Sequence, residues 1–292
     1  MNVLVWVEAA RLRTLPASLI PVMVGGTLAW QHEQLYWPAT VVALSCAVLI
    51  QIATNFANDY FDYRSGADAD DRVGFTRASS SGAISPGTML TTALSTFFAA
   101  FLLGLYLVLH AGLPILVTGI LAIAAGIMYT GGPFPLAYNG LGDLFVFLFF
   151  GFAAVTGTYY VNTLQWSEQA LWASVAVGSL STMILVANNY RDVHSDRRAG
   201  KNTLVVIFGE RFARWQFTIL ALLPFTIPPH FFFREEYGFL IFLPMILLPW
   251  AIYIIRWFHV ENRKEAFNDI LVQTAQFMTA FGILFSAGIA LG

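Results

Sequence analysis

The residues of this chain that are best suited to chemistry are carboxylates and amides, and they gather in two short polar segments. The first is NFANDYFDYRSGADADDR, residues 55–72, in which Asn58 and Asp62 lie four positions apart. Side chains with that spacing share one face of a helix. Gly66 then predicts the end of the helix, and further acids follow on a loop. The candidate metal ligands of this segment are Asn58, Asp59, Asp62 and Asp68.

The second segment repeats the spacing. It is NNYRDVHSDRRAGKNT, residues 188–203, and its amide and acids recur at every fourth residue in Asn188, Asp192 and Asp196. Clustered carboxylates repel one another unless a cation neutralises them, and ionisable groups at a membrane boundary are costly and usually functional. Each segment therefore predicts a row of oxygen ligands along one face of a helix.

Oxygen ligands without cysteine or histidine indicate magnesium or calcium. Magnesium commonly keeps waters and joins a few carboxylates to the phosphates of a substrate. Arginines and a lysine interleave with the acids, which suits a diphosphate that needs both a metal and direct cationic contacts. The alternative is that both segments are ordinary charged loops of a membrane protein. The agreement of two such segments, each beginning its pattern with Asn, favours the metal site.

The remainder of the chain is strongly apolar. Of its 292 residues 58% are hydrophobic and 11% are charged, and the mean hydropathy is +0.67, whereas a soluble domain carries roughly 25% charged residues. The net charge of −2 gives no basic surplus for nucleic acid. Cys46 is the only cysteine, so an internal disulfide and a cysteine-based zinc site are excluded. Most of the surface is therefore expected to face lipid.

Apolar stretches of about 20 residues predict membrane-spanning helices, and nine of them can be counted. We expect an all-α membrane protein, a bundle of nine transmembrane helices that forms a single domain over residues 1–292. The stretch at 213–233 is the weakest, because Pro224, Pro228 and Pro229 interrupt it. The predicted spans are 14–31, 38–57, 89–109, 112–130, 144–163, 169–190, 213–233, 237–256 and 268–290.

Positive charges gather on one side of this bundle. Arginines and lysines lie before the first span and after spans two, six and eight, with Arg234 as the exception, and such residues favour the cytoplasmic side. We therefore expect a cytoplasmic N-terminus, an external C-terminus, and both polar segments at the cytoplasmic ends of helices two and six. The first residues show no cleavable signal pattern. A bacterial inner membrane is the expected location, and a plastid membrane stays open.

In these features the sequence resembles the UbiA superfamily of intramembrane prenyltransferases, over nearly the whole chain. The resemblance implies nine transmembrane helices and two Asp-rich motifs that bind an isoprenyl diphosphate through magnesium. The second polar segment matches its motif throughout. In the first, Asn58 and Asp62 match, but Gly66 stands where the family has a third ligand, and Asp68 is the nearest acid.

Several segments are similar to one branch of the superfamily, the 1,4-dihydroxy-2-naphthoate prenyltransferases. GKNTL at 200–204 resembles the Lys-Thr segment that follows the family's second motif. The segments similar to the branch are ARLRTLPASLIPVMVGG at 10–26, NDYFDYRSGAD at 58–68 and YTGGPFPLAYNGLGD at 129–143. The last discriminates best, because hydroxybenzoate enzymes differ there. The resemblance implies transfer of a polyprenyl or phytyl group to dihydroxynaphthoate, with loss of carbon dioxide and diphosphate.

The resemblance also implies roles for residues around the two segments. Cationic side chains would stabilise the leaving diphosphate, and aromatic rings would shield an allylic cation. The implied catalytic residues are Asp62, Asp192, Asp196, Lys201 and Asp143. The implied substrate-binding residues are Arg72, Arg77, Arg198, Tyr60, Tyr129, Tyr190 and Asn188.

For some of these residues a second interpretation stays open. The tyrosines could be anchors at the membrane interface, where this residue type is enriched. Asp143 could orient the acceptor, act as a base or stabilise the start of a helix. Arg11 and Arg13 could contact the carboxylate of the acceptor or simply set the topology.

Two other functions are compatible with the composition. The same chemistry could serve another aromatic acceptor, such as 4-hydroxybenzoate, homogentisate or a porphyrin. An ion-coupled transporter would also place acids in a helical bundle, but transporters are commonly built from inverted repeats. Here the two polar segments are separated by four predicted helices, so their helices run parallel. We therefore expect the prenyltransferase.

Overall fold

The computed structural model describes residues 3–66 and 77–292, with the exception of the Arg13 side chain. Within these ranges the chain forms helices joined by short turns, and no strand. The predicted metal ligand Asp68 and the predicted substrate-binding residue Arg72 lie outside the described residues. The helices are α1 Val3–Ala9, α2 Pro16–Gln31, α3 Trp37–Ser65, α4 Pro86–Ala111, α5 Leu113–Met128, α6 Gly142–Thr163, α7 Glu168–Arg191, α8 Val193–Arg198, α9 Leu204–Phe208, α10 Glu210–Arg234, α11 Phe239–Val260 and α12 Lys264–Leu291.

Seven helices in the described part of the chain are long and apolar enough to cross a membrane, namely α3, α4, α6, α7, α10, α11 and α12. The predicted all-α membrane architecture is confirmed at this level. α2 and α5 lie where two further spans were predicted, but each has 16 residues, fewer than the roughly 20 that a perpendicular crossing needs.

Helix α3 carries the first polar segment on its last turns. Pro38 lies in its first turn, where a fixed φ and a missing N–H are tolerated. The helix continues beyond the apolar span predicted at 38–57 and ends at Gly66, whose φ of 75° is a conformation that glycine adopts without steric cost. The predicted helix end at Gly66 is confirmed, and Asn58 and Asp62 both lie on the helix.

Helix α7 is the innermost of the long helices, since 72% of its apolar stretch is buried against 22% for α3, α4 and α11. The hydroxyl of Ser167 accepts the N–H of Ala170 and caps its start. At the other end the chain bends at Asp192 into α8. The N–H groups of Asp192 and Asp196 still donate to carbonyls four residues earlier. The predicted four-residue row that begins at Asn188 therefore keeps a helical register.

Helices α6 and α7 cross at very short range. A Cβ added to Gly151 would lie 2.7 Å from the carbonyl oxygen of Ser174 and 2.8 Å from the Cα of Gly178. At this crossing α6 passes through wider π-helical turns at Phe147–Ala153. Such turns insert a residue and change which side chains of the helix face a neighbour. Several residues in and after them line a cavity beside the polar segments.

The prolines of the weakest predicted span are accommodated within α10. A 3-10 turn at Leu223–Thr226 contains Pro224, and the next α-helical stretch begins with Pro228 in its first turn. Proline is tolerated at such a position because the first N–H groups of a helix have no intrahelical partner. The predicted span at 213–233 is therefore helical, and Glu210–Arg234 is long and apolar enough to cross a membrane.

Candidate active site

The first polar segment places three side chains in the interior at the end of α3. Asn58 is 7% exposed and Asp62 is 2% exposed. The Asn58 amide oxygen accepts a hydrogen bond of 2.8 Å from the Thr130 hydroxyl. The Asp62 carboxylate accepts from the Arg77 guanidinium at 3.1 Å and from the Tyr138 hydroxyl at 3.2 Å. Buried charge is tolerated here because a cation and a hydroxyl compensate it.

The third of these side chains, Asp59, has backbone partners. One carboxylate oxygen accepts the N–H of Ser79 at 2.9 Å and the other accepts the N–H of Ala78 at 3.0 Å. Asp59 is 2% exposed. The structure therefore connects this predicted metal ligand to the turn that follows residue 76.

The second polar segment is organised by Arg191. Its guanidinium binds both oxygens of Asp192, at 2.8 and 2.7 Å, and also contacts the amide oxygen of Asn188 at 2.8 Å. A fourth hydrogen bond of 2.9 Å reaches the amide oxygen of Asn268 on α12. A two-pronged guanidinium–carboxylate pair fixes both direction and charge. Arg191 thus holds two of the predicted oxygen donors in a buried, neutralised arrangement.

Tyr138 and Lys201 connect the two segments. The Tyr138 hydroxyl donates to Asp62 in the first segment and lies 2.7 Å from the Ser65 hydroxyl. The Lys201 ammonium lies 5.8 Å from the centre of the Tyr138 ring and 3.7 Å from the carboxylate of Asp196 in the second segment. The two segments, more than a hundred residues apart in the sequence, therefore belong to one site.

A cavity of about 370 Å³ opens beside this site. Its polar end is formed by both segments and by the cations near them. From Asp62 the lining continues along α3 to Ala43, a length of about 28 Å at 1.5 Å per residue. The rest of the wall comes mainly from apolar and small side chains of α4, α5 and α6. The predicted site residues that line it are Asn58, Asp62, Arg77, Tyr129, Asn188 and Lys201.

Tyr129 and Tyr138 lie on the loop between α5 and α6. Burial raises the pKa of both phenols well above their ordinary range, and the negative charges of Asp62 and Asp196 raise it further. Because a raised phenol pKa favours the neutral form, both hydroxyls remain protonated hydrogen-bond donors throughout the neutral range. Tyr129 lines the cavity, as expected of a residue that would contact substrate.

The structure does not bring every predicted site residue to the cavity. Asp192 and Asp196 are buried beside it but are not among the described residues that line it. Tyr60 packs on Phe61 and its hydroxyl accepts from Arg64, away from the cavity. Arg198 is exposed on α8. Because neither side chain is among the described residues that line the cavity, direct substrate binding by Tyr60 or Arg198 has no support from this geometry.

Tyr190 has a packing environment of its own. Its ring is fully buried beside Phe258 and Phe267, at centre distances of 4.9 and 4.7 Å. The Lys264 ammonium lies 3.9 Å from the ring centre, and the Tyr190 hydroxyl donates to Glu210 at 2.8 Å. These contacts favour a role for Tyr190 in packing α7 against α10, α11 and α12.

The direction of Tyr190 differs from that of the two residues before it. Asn188 and Asn189 line the cavity, whereas Tyr190 is not among its lining residues. Successive helical residues are turned by about 100° from one another, so Tyr190 faces the neighbouring helices instead. Its predicted role in shielding a substrate cation has no support from this geometry.

Asp143 lies in the first turn of α6, where a negative charge is favoured by the helix dipole. It is 6% exposed and accepts a hydrogen bond of 3.0 Å from the Gln216 side chain of α10. Leu141, which precedes the helix, provides no side-chain cap. Asp143 is not among the described residues that line the cavity, so this geometry favours a helix-stabilising role over contact with substrate.

Several site residues were missed by the sequence reasoning. Tyr138 is part of the segment YTGGPFPLAYNGLGD, but only Tyr129 and Asp143 were singled out from that segment. Arg191 was treated as a topology-setting charge, although its position between the donors of the second segment was a usable signal. Thr130, which donates to Asn58, lies in the same segment, but nothing in the sequence connected it with Asn58.

The donor chemistry of the site fits magnesium. Within residues 3–66 and 77–292, no three carboxylate, histidine or cysteine side chains converge closely enough to hold a metal ion by themselves. The cavity is instead lined by the amide and carboxylate oxygens of Asn58, Asp62 and Asn188. Magnesium is commonly bound by one or two carboxylates together with waters and substrate phosphates, so it does not require a complete protein cage.

The fold and the site together define a class of protein: a multi-pass helical membrane protein with acids, amides and cations at one end of a long apolar cavity. The chain belongs to the UbiA prenyltransferase family, whose model matches residues 18–281. The resemblance noted in the sequence is thereby confirmed.

Individual relatives agree with the family match. The chain is 40% identical to the 1,4-dihydroxy-2-naphthoate octaprenyltransferase of Mycobacterium tuberculosis, over 85% of this chain and 80% of that protein. It is 35% identical to the protein of the same name from Escherichia coli, over 98% of this chain and 95% of that protein. A UbiA homologue from Archaeoglobus fulgidus, solved with DMAPP and Mg2+, shares the fold with a TM-score of 0.64 at 16% identity, over 96% and 99%.

Proposed function

We propose that this protein is a magnesium-dependent prenyltransferase that transfers a polyprenyl group from its diphosphate to 1,4-dihydroxy-2-naphthoate. The observation that carries the proposal is the similarity, at 40% and 35% identity over most of the chain, to relatives named for this activity. The cavity supports it, because a charged end and a long apolar interior match a diphosphate with an isoprenoid tail. Since those relatives are named octaprenyltransferases, we propose a long polyprenyl donor.

The proposed reaction is a substitution on the naphthoate ring. The allylic C–O bond of the donor breaks, and its electron pair leaves with the diphosphate. The ring carbon that bears the carboxylate then forms a bond to the allylic carbon. Carbon dioxide leaves, and the electron pair of its bond returns to the ring. The ring is aromatic again without net loss of a proton, and the product is a prenylated naphthoquinol.

The donor diphosphate is proposed to bind at the polar end of the cavity. Asn58, Asp62 and Asn188, which line that end, would hold magnesium together with Asp192 and Asp196, which contact lining residues through Arg191 and Lys201. Magnesium, when bound, withdraws charge from the leaving group. Arg77 and Lys201 line the same end and would stabilise the charge that develops on the diphosphate. Asp68 and Arg72 stay predictions of the sequence, because they lie outside the described residues.

The acceptor is proposed to bind beside Arg11. This residue lines the cavity and has a left-handed backbone with a φ of 52°. Its carbonyl accepts the Thr14 hydroxyl at 2.9 Å, and Thr14 in turn accepts from the Gln51 amide at 3.1 Å. These contacts hold the backbone of Arg11, and its guanidinium would pair with the acceptor carboxylate until carbon dioxide leaves. Setting the topology is the alternative role for this charge.

The whole chain is proposed to form a single domain with nine spans. α2 and α5 would add two spans to the seven helices of sufficient length in the described part of the chain. The positive charges support a cytoplasmic N-terminus, a cytoplasmic site and an external C-terminus. The relatives named above are bacterial, which supports a location in the bacterial inner membrane.

The proposal is tested with purified protein and a labelled polyprenyl diphosphate. Dihydroxynaphthoate, 4-hydroxybenzoate and homogentisate are offered separately, each with magnesium and with a chelator. We expect carbon dioxide and a prenylated naphthoquinol with dihydroxynaphthoate, and only when magnesium is present. Absence of product with every donor length, or faster transfer to another acceptor, would contradict the assignment.

The proposed metal ligands are tested by Asp62→Ala, Asp192→Ala and Asp196→Ala. We expect each change to lower transfer by at least about 100-fold, the usual order for loss of a group that stabilises developing charge. Membrane insertion should be unchanged. Glu168→Ala, at the other end of α7, is the matched control and should keep full activity. Full activity in an Asp variant, or activity that survives complete chelation, would refute the assignment.

A further inference from the structure

Asp59 differs from its neighbours in the direction of its side chain. Asn58 and Asp62 are four residues apart on α3 and both line the cavity, whereas Asp59 is not among the described residues that line it. One residue of helix corresponds to a rotation of about 100°. The Asp59 side chain is therefore rotated away from that of Asn58, and its two oxygens have partners other than those of Asn58 and Asp62.

The partners of Asp59 are two consecutive backbone amides. Its two oxygens accept the N–H groups of Ala78 and Ser79 at 3.0 and 2.9 Å, and the residue is 2% exposed. Hydrogen bonds to an ionised acceptor are stronger than those between neutral groups, and burial from water increases the cost of losing them. The carboxylate is thus a firm attachment point for this part of the chain.

The attached segment is a compact turn that carries Arg77. The Ser81 N–H donates to the Arg77 carbonyl, and the Ile84 N–H donates to the Ala78 carbonyl, both at 3.1 Å. Arg77 directly precedes the two amides that Asp59 binds, and its guanidinium reaches the Asp62 carboxylate at 3.1 Å. The turn therefore brings Arg77 to the cavity. There it pairs with Asp62, which lies about one helical turn along α3 from Asp59.

We propose that Asp59 is a positioning residue that fixes the turn at 77–84 and thereby holds Arg77 at the diphosphate end of the cavity, and that it is not a metal ligand. This rests on the proposed function for the identity of the diphosphate. The attachment itself rests on the hydrogen bonds of Asp59 alone.

The kinetic test compares Asp59→Asn, Arg77→Gln and the double variant. The Asn side chain has one accepting oxygen, so it can keep only one of the two backbone N–H hydrogen bonds. Arg77 should then be held less firmly, and we expect the KM for the prenyl diphosphate to rise by about tenfold. Because Asp59 acts through Arg77, the double variant should be no worse than Arg77→Gln alone. Ser79→Ala keeps the backbone N–H and is the matched control, with an unchanged KM. Independent, multiplicative losses in the double variant would overturn the proposal.

Metal binding and backbone protection are measured without turnover. Electron paramagnetic resonance of Mn2+ with inorganic diphosphate should give the same bound Mn2+ in Asp59→Asn as in the unaltered protein, and less in Asp62→Asn. Amide hydrogen exchange of 77–84 should become faster in Asp59→Asn and stay unchanged in Ser79→Ala. Loss of Mn2+ in Asp59→Asn, or unchanged exchange in that variant, would overturn the proposal. Because neither readout needs an acceptor, failure of the proposed function would be seen separately, as absent transfer by the unaltered protein.

Discussion

At the scale of single residues, the site depends on contacts between groups that are distant in the sequence. Asp62 accepts from Arg77 and Tyr138, which come from two different loops. Asp192 instead is paired with its neighbour Arg191. In both cases a buried carboxylate is compensated by a cation, as the cost of burying an isolated charge requires. The two pairs differ in origin, since one is local and the other needs the tertiary fold.

Tyr138→Phe tests the link between the two segments. The change removes the hydroxyl that donates to Asp62 and keeps the ring near Lys201. We expect kcat/KM to fall about tenfold, because a hydrogen bond to a carboxylate contributes roughly 1.5 kcal/mol. Tyr60→Phe, whose hydroxyl lies away from the cavity, is the control and should be active. Equal activity of both variants would contradict the role of Tyr138.

Tyr138→Phe is also expected to leave the pH dependence of the transfer rate unchanged. Burial and the charge of Asp62 raise the pKa of the Tyr138 phenol above its ordinary range. The neutral donor therefore persists at high pH, and the hydrogen bond is not lost by ionisation below about pH 10. We expect pH–rate profiles of the same shape for the protein and for Tyr138→Phe. An alkaline decline that disappears in the variant would show that Tyr138 ionises earlier.

At the scale of elements, the spacing of α6 and α7 depends on glycine. Gly151 and Gly178 meet where a Cβ would lie within 3 Å of the neighbouring helix. This contact coincides with the π-helical turns at Phe147–Ala153, and residues within and on both sides of these turns line the cavity. The crossing therefore sets both the packing of the central helix and the shape of the cavity wall.

Gly151→Ala tests the crossing. The new Cβ would meet the Ser174 carbonyl at 2.7 Å, which is backbone and cannot rotate away. We expect a loss of stability of about 1–3 kcal/mol, the usual cost of overpacking, seen as a lower thermal unfolding temperature in detergent. Gly157→Ala lies on the same helix with nothing within 4 Å and serves as the control. Equal unfolding temperatures would contradict the close packing.

At the scale of the whole molecule, the bundle contains a cavity almost as long as the hydrocarbon core of a membrane is thick. Its wall along α3 is about 28 Å long between Asp62 and Ala43, close to the roughly 30 Å of a hydrocarbon core. Gly157 lines the cavity, and a Cβ there would meet nothing within 4 Å. By the rise of a helix, Gly157 lies about 22 Å from Gly142 at the start of α6. A side chain at this position would project into the deep part of the cavity.

Gly157→Leu tests whether the isoprenoid tail occupies this depth. We expect the rate with a long polyprenyl diphosphate to fall at least about tenfold, because the leucine fills space that the tail needs. A geranyl donor is too short to reach residue 157, so its rate of transfer should be unchanged. The comparison is made by competition between the two donors, with Gly157→Ala as the control. Equal losses with both donors would contradict this placement of the tail.

Much of the fold could be predicted from the sequence, because the features that define it depend on neighbouring residues. Apolar stretches predicted helices where the structure has them, because a helix satisfies its own backbone in lipid. The four-residue spacing from Asn188 to Asp196 predicted a shared face, which the backbone hydrogen bonds of α7 and α8 support. Even the helix end at Gly66 followed from one residue type. Each of these features depends only on residues within a few positions of one another.

Only the tertiary structure decided what lies against each helix face. The sequence grouped Asp59 with the oxygen donors, and packing directs it to the amides of Ala78 and Ser79. It placed Tyr190 beside the substrate, whereas the ring is buried among helices. It passed over Tyr138, which connects the two segments. The reason is physical: helical periodicity determines which side chains share a face, but the partner of that face comes from a distant part of the chain.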